Sequence, residues 1–179
     1  MTDVNKLYTS ISNAGRGVFQ KQMEDDASLV WRIFRQPLIL DELTAKVKAL
    51  RASDITGNPL TMGPETISLY REFLVYAIVG LIQLKRTPSL PPDPSQNADL
   101  FLGDYDVILE DCREVFNEKI AAEHKGWREM PLSQVTDLMQ VDVKFLREPQ
   151  YHAVMTVESI YEDLIVNTVL ALLLFEEEY

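Results

Sequence analysis

The chain has 179 residues, a formal net charge of −11, 46% hydrophobic residues and 25% charged residues. This is the usual mixture for one globular domain with a substantial core, and it excludes a disordered or fibrous protein. The single cysteine, Cys112, excludes a disulfide within the chain, and the first residues lack the basic-then-apolar plan of a signal peptide. We therefore expect a soluble, cytoplasmic protein.

Apolar residues recur at helical spacing along most of the chain, and no stretch shows convincing strand alternation or a repeat of fixed period. Seven segments are predicted as helices: 3–22, 25–36, 42–51, 64–86, 104–123, 131–147 and 150–176. Gly15 and Gly17 predict a turn or kink in the first segment, because glycine loses the most conformational freedom on ordering. Asp41 is expected to cap the third segment, and residues 38 to 40 are the one candidate for a short strand.

The fourth predicted helix has the clearest end signals. Gly63 and Pro64 predict its start, since proline at the first helical position gives up no hydrogen bond. Lys85 and Arg86 complement the dipole at its end, and Pro88 forbids continuation. Residues 73 to 82 are apolar without interruption, so we expect this helix to be buried.

Residues 87 to 103 contain four prolines and small polar residues, which is typical of an exposed connector. The connector divides an N-terminal part (1–86) from a C-terminal part (104–179). Each part is small for a domain that folds independently, so we expect both to belong to one bundle. A proline-rich segment can also dock in an aromatic groove of a partner, which makes Pro91 and Pro92 candidate partner contacts.

The last predicted helix is the most apolar. From residue 164 to residue 175 only Asn167 and Thr168 are polar, and three glutamates then end the run. Such a helix must be buried inside a bundle or against another chain, and the run is shorter than the about 20 residues that span a membrane. Three side chains near its end are expected at a partner contact: Leu172, Leu174 and Phe175.

These elements predict an all-α fold: one domain, 1–179, formed by a single irregular bundle of about six to seven helices with a long proline-rich crossover. Charge is unevenly spread along it. The first 52 residues carry eight Lys/Arg against six Asp/Glu, and the remainder carries nine against 22. This polarity favours head-to-tail contact between chains or a basic partner for the acidic part, although solvated helix faces also explain it.

The usual catalytic motifs are missing from the sequence. One cysteine and two histidines, His124 and His152, cannot form a closed zinc site, and no phosphate-binding lysine motif or nucleophile elbow occurs. Cys112 lies at an apolar position between acidic residues, which predicts a buried structural cysteine instead of a nucleophile.

The one chemically suggestive pattern is acidic. Asp111, Glu114 and Glu118 share one helix face, and Glu158 and Glu162 share another. Such carboxylates on two helices can hold Mg²⁺, with substrate phosphates completing its shell. The spacing resembles that of the all-α nucleoside triphosphate pyrophosphohydrolases of the MazG type, whose helices present Glu-x-x-Glu and Glu-x-x-Asp sets. Here an aspartate, Asp111, replaces the first glutamate of the first set, and the second set is missing. Acidic residues that simply face solvent on the outer sides of two helices explain the same pattern without a metal.

Direct nucleic-acid binding is unfavourable for so acidic a chain, because such affinity depends on neutralising phosphates. The one basic and aromatic candidate patch consists of Trp31, Arg32, Phe34, Arg35, Lys46, Lys48 and Arg51. An acidic protein can instead imitate DNA and occupy a DNA-binding protein. That alternative requires regularly spaced exposed carboxylates, which only the helix after the connector begins to provide.

The sequence therefore predicts a non-catalytic protein–protein interaction protein, an adaptor or a structural subunit of a larger assembly, whose other members are a protein partner or further copies of this chain. No cofactor is expected, except Mg²⁺ under the pyrophosphohydrolase alternative, and no membrane contact is expected. The sequence does not identify the partner or the biological process.

Overall fold

Helices make up nearly all of the chain that the computed structural model describes, which comprises residues 3–25, 36–55, 63–86, 98–122 and 126–178. The six α-helices are α1 (Val4–Glu24), α2 (Gln36–Ile55), α3 (Pro64–Arg86), α4 (Ala98–Ala122), α5 (Leu132–Arg147) and α6 (Val157–Glu178). Short 3₁₀ turns at Gly126–Glu129 and Pro149–Ala153 precede α5 and α6. The described ranges contain no strand, so the predicted all-α bundle is confirmed.

Helix ends with strong local signals lie where the sequence predicts them. Helix α3 runs from Pro64 to Arg86, and α5 ends at Arg147. Helix α1 differs, because it continues through Gly15 and Gly17 without the predicted break. Gly15 is needed for close packing instead, since a Cβ there would overlap the Tyr105 hydroxyl of α4.

The start of α2 corrects three predictions. Pro37 was expected to end a preceding helix, but it lies in the first turn of α2, where its missing N–H is tolerated. Asp41 is therefore inside the helix and caps nothing; its carboxylate binds Arg147 instead. Residues 38 to 40 are helical, so the short strand is absent.

The connector is shorter than predicted. Helix α4 begins at Ala98, so residues 98 to 103 belong to the helix and Phe101 and Leu102 are buried in the core. The rest of the connector, with Pro91 and Pro92, lies outside the described residues, as do residues 26 to 35 of the second predicted helix.

Helices α3 and α6 pack against each other at the centre of the bundle, as their apolar sequences require. The solvent-exposed fractions of Leu172, Leu174 and Phe175 are 2%, 6% and 3%, so these side chains are covered within the chain and are not retained as partner contacts. Among the described helices, only α3 is long and apolar enough to span a membrane, and 61% of its most apolar window is buried in the fold.

The structure also reveals an internal repeat that the search for a fixed period missed. Helix α1 matches α4 with an offset of 97 residues, α2 matches α5 with an offset of 96, and α3 matches α6 with an offset of 91. The identical residues include the pairs Tyr8/Tyr105, Arg16/Arg113, Phe19/Phe116, Asp41/Asp137, Lys48/Lys144, Arg51/Arg147 and Tyr70/Tyr161. We call α1–α3 the N-terminal unit and α4–α6 the C-terminal unit.

Contacts between the two units are reciprocal. The Tyr8 hydroxyl donates to the carbonyl oxygen of Leu109 at 2.6 Å, and the Tyr105 hydroxyl donates to that of Ser12 at 3.2 Å. Leu109 and Ser12 are themselves equivalent under the offset of 97.

The ring contacts follow the same rule: Tyr8 packs on Phe116, and its equivalent Tyr105 packs on Phe19. Likewise Arg16 binds Asp106, and Arg113 donates to the equivalent Thr9. Reciprocal contacts of this kind define an isologous interface. The two units are therefore related by an approximate twofold rotation, like the subunits of a homodimer.

Candidate functional site: the groove between α2 and α5

A groove of about 540 Å³ lies on the surface between α2 and α5. Helix α2 contributes Thr44, Val47 and Lys48 at helical spacing, so one face of that helix forms one wall. The buried side chains of Val47 and Val143 form the floor. Helix α5 contributes six residues to the opposite wall and floor: Gln140, Val141, Val143, Lys144, Arg147 and Glu148.

Each end of the groove is closed by an arginine that reaches from one helix to the other. Arg147 of α5 donates to the hydroxyl of Thr44 at 2.8 Å and binds the carboxylate of Asp41 at 3.0 Å. At the opposite end, Arg51 of α2 makes the equivalent contacts.

Arg51 binds the carboxylate of Asp137 at 3.0 Å and also hydrogen-bonds Gln140. These cross-links show that α2 and α5 run antiparallel, with residue 41 near residue 147 and residue 51 near residue 137. The groove is thus a trough of about ten residues, roughly 15 Å at the rise of an α-helix, with a cationic clasp at each end.

The groove lies on the approximate twofold axis. Its lining consists of equivalent pairs under the offset of 96: Thr44 with Gln140, Val47 with Val143, and Lys48 with Lys144. The two helices share the pattern Asp-x5-Val-Lys-x-Leu-Arg, which begins at Asp41 in α2 and at Asp137 in α5. The groove therefore has two similar halves, one from each unit.

The lysines give the groove its electrostatic character. The arginine at each end is balanced by the aspartate that it binds. Lys48 and Lys144 are exposed, and neither forms an ion pair with any residue in the described part of the chain. Among the described residues of the lining, Glu148, which accepts a hydrogen bond from Gln150, is the one acidic residue. The walls thus carry more positive than negative charge in a chain of net charge −11.

An exposed apolar side chain adds to the floor. Val141 lies on the α5 wall with 42% of its surface exposed, above the two buried valines. The groove combines this apolar strip with two ammonium groups, so its chemistry suits an amphipathic ligand that carries negative charge.

The structure separates the five acidic residues that the sequence grouped as metal ligands. Asp111 of α4 and Glu158 of α6 both face the ammonium group of Lys85, at 4.0 Å and 3.0 Å. Glu162 lies close enough that its pKa, which burial raises most, is raised further by Glu158 and lowered by Lys85. The positive charge among these three carboxylates is therefore the ammonium group of Lys85, which belongs to α3.

Glu114 and Glu118 are exposed further along α4 and do not join that group. Within the described residues, no three or more acidic, histidine or cysteine side chains are arranged to hold a metal ion. The five candidate carboxylates are therefore not assembled into one metal-holding group within the described residues, and Mg²⁺ binding at them stays a hypothesis of the pyrophosphohydrolase alternative.

A second polar group is buried where α4, α5 and α6 meet. Asp142 is only 8% exposed, and its carboxylate accepts a hydrogen bond from the Asn167 amide at 2.7 Å. Asn167 in turn accepts a hydrogen bond from Lys119. Burial raises the pKa of Asp142 to about 7, the bond from Asn167 opposes the rise, and the nearby Asp163 adds to it.

The N-terminal unit has the equivalent positions but different chemistry. Lys46 replaces Asp142 there, and it binds Glu72 at 2.7 Å and lies over the ring of Tyr76. Glu72 and Tyr76 are the equivalents of Asp163 and Asn167. The C-terminal unit has thus exchanged a simple ion pair for a buried network, which we interpret as structural divergence between the units.

The structure confirms that Cys112 is buried and not paired in a disulfide. Burial raises the pKa of its thiol to about 12, and the nearby Glu162 and Asp111 add to the rise. The thiolate form that a nucleophile needs is therefore disfavoured, in agreement with the predicted structural role.

The predicted basic and aromatic patch is only partly described. Lys48 belongs to the groove, Arg51 closes one of its ends, and Lys46 is paired with Glu72. The four members of the patch between residues 31 and 35 lie outside the described residues. Sequence reasoning missed the groove because its walls are separated by about 96 residues. The shared pattern of α2 and α5 was the signal that would have indicated it.

Comparison with protein-family models, with curated proteins and with solved structures gives no match for this chain.

Proposed function

We propose that the chain is a non-catalytic interaction protein, an adaptor or structural subunit, and that a protein partner binds in the groove between α2 and α5. The observation that supports this function is the groove itself. Val141 is exposed beside a floor of two buried valines, and the opposite walls carry Lys48 and Lys144, which form no ion pair in the described part of the chain. Apolar area with a charged rim is the usual anatomy of a protein interface.

The site differs from the contact that the sequence predicted. The apolar end of α6 is covered by the chain's own core, so we propose the groove as the docking surface in its place. The groove needs no rearrangement of that core, because its lysines and Val141 are already exposed. Binding there can therefore occur on the folded chain.

Site-specific photocrosslinking tests this proposal. A benzophenone amino acid at Val141 should give a discrete adduct in an extract of the cells that produce the protein. The same probe at Leu100 is the matched control, since Leu100 is 44% exposed against 42% for Val141 but lies on α4, away from the groove.

The Val141 adduct should disappear in the Lys48→Glu, Lys144→Glu double variant, because charge reversal makes the walls acidic. Adducts of equal yield from both probe positions, or an adduct that survives the double charge reversal, would contradict the proposed function.

A further inference from the structure

The groove is open along its length, which limits what it can hold. Sites for small molecules enclose most of the ligand surface in a cavity. This site is a trough between two antiparallel helices, floored by Val47 and Val143 and closed at its ends by arginine clasps. A trough of this form matches the helix-in-groove mode, in which an amphipathic helix lays its apolar face between two helices of the receptor.

The charge of the walls selects the sign of the partner. Lys48 and Lys144 stand on opposite walls, and the aspartates at the groove ends are already bound to Arg147 and Arg51. A helix that carries acidic residues on both sides of its apolar stripe can place a carboxylate near each lysine. A basic helix would face two uncompensated ammonium groups.

Resting on the proposed function, we propose that the groove binds an acidic amphipathic helix of a partner protein, and that Lys48 and Lys144 form two equivalent half-sites for its carboxylates. The equivalence follows from the approximate twofold axis, which relates the two lysines and the two valines of the floor. A helix that lies in the trough crosses this axis and meets similar chemistry from both units.

The test uses the full chain and a synthetic helical peptide of about 14 residues with a leucine stripe flanked by glutamates. A scrambled peptide of the same composition lacks the stripe, and a third peptide has lysine for each glutamate. Fluorescence anisotropy should show binding of the first peptide only.

Lys48→Glu and Lys144→Glu should each weaken that binding about tenfold, and by the same factor within about twofold. Lys21→Glu, an exposed lysine of α1 outside the groove, should leave it unchanged. Both groove lysines are exposed, so the variants are expected to fold, and circular dichroism checks that they do.

Four results would overturn this inference: equal binding of the scrambled peptide, binding of the lysine peptide, an effect confined to one of the two lysines, and binding of phosphatidylglycerol vesicles in place of the peptide. The proposed function is tested separately by the Val141 adduct. If the adduct forms but the acidic peptide does not bind, the interaction function stands and the acidic helix is the wrong partner class.

Discussion

Among the described carboxyl groups, Asp142 is the one whose pKa is raised furthest by folding. Its pKa rises from 3.8 to about 7 in the folded chain, so the folded state holds a proton that the unfolded state releases near pH 4. The contribution of this group to stability is therefore greatest below pH 4, decreases as the pH rises toward 7, and is then level. The groups that face this carboxyl are Asn167, Asp163 and Lys119, and burial also raises the pKa of Asp163.

We predict that Asp142→Asn removes much of this pH dependence. The amide keeps an oxygen that accepts the bond from Asn167, but it has no charge to bury. Because each unit of pKa shift corresponds to about 1.4 kcal/mol, wild type should lose about 2–3 kcal/mol between pH 5 and pH 8 through this group.

Thermal unfolding of both proteins at pH 5 and pH 8 measures the effect. The decrease in melting temperature between these pH values should be smaller for the variant than for wild type, whereas Glu118→Gln, at an exposed position on α4, should behave as wild type. A variant with the wild-type pH dependence would show that Asp142 is not the titrating group.

Two glycines of α1 provide a matched pair at the same scale. A Cβ at Gly15 would overlap the Tyr105 hydroxyl, whereas a Cβ at Gly17 would have no atom within 4 Å. We expect Gly17→Ala to stabilise the chain by about 0.5–1 kcal/mol, since glycine is unfavourable inside a helix. Gly15→Ala should destabilise it by about 1–3 kcal/mol, because the tyrosine must move from its hydrogen bond to Ser12.

Denaturant unfolding of the two variants measures both effects. If both substitutions lower the free energy of unfolding by a similar amount, the close approach of α1 and α4 at Gly15 is not the cause of the destabilisation.

At the level of elements, local signals predicted helices well and packing poorly. Gly63 and Pro64 mark the start of α3 in the sequence, and the structure begins the helix there. Asp41 was misread because an N-cap and a helical ion-pair partner look alike until the other helix, with Arg147, is known. The same holds for the candidate metal-binding carboxylates. Lys85, which binds Asp111 and Glu158, belongs to a third helix, and its position next to them cannot be read from the sequence.

The repeat was invisible to a fixed-period search because its offset changes from 97 to 91 between the first and third helices. Eighteen residues separate Arg51 from Tyr70, but 13 separate the equivalent Arg147 from Tyr161, which shifts the register while the reciprocal contacts survive. The groove could not be predicted without the repeat, because each wall alone is an ordinary amphipathic helix.

The two ends of the groove provide a test of the repeat through energetics. Double-mutant cycles on Arg147 with Asp41 and on Arg51 with Asp137 should give coupling energies of about 0.2–1 kcal/mol, as expected for exposed ion pairs. The two values should agree within about 0.3 kcal/mol, because the contacts are equivalent. Coupling at one end alone would mean that the units are not energetically similar there.

The apolar end of α6 yields a further prediction. Leu172→Ser and Phe175→Ser should each destabilise the chain by about 2–5 kcal/mol, since both side chains are buried within one chain. Light scattering and urea unfolding together decide between the two roles. A variant that keeps its stability but loses an oligomer would restore the partner contact that the sequence predicted.

At the scale of the whole molecule, the approximate twofold axis constrains the chain ends. The axis exchanges the units, so the end of α3 and the start of α4 correspond to the end of α6 and the start of α1. Eleven residues, 87 to 97, join Arg86 to Ala98. Under the offsets of 91 and 97, the equivalent positions are Glu177 and Met1. Within the described residues, Val4 and Glu176 are the equivalents of Phe101 and Lys85, so the start of α1 and the end of α6 should be separated by a distance similar to that between the start of α4 and the end of α3.

It follows that the chain can be circularly permuted. A variant that begins at Ala98, joins residue 179 to residue 1 through an eleven-residue Gly/Ser linker and ends at Arg86 should keep the wild-type helical content. Its melting temperature should lie within about 5 °C of wild type, because each doubling of a flexible loop's length costs only about 0.6 kcal/mol. A permutant with a two-residue linker is the control, and it should be the less stable of the two, because the equivalent connection between Arg86 and Ala98 takes eleven residues. If the long linker also fails, the ends of the two units are not related as the reciprocal contacts of Tyr8 and Tyr105 require.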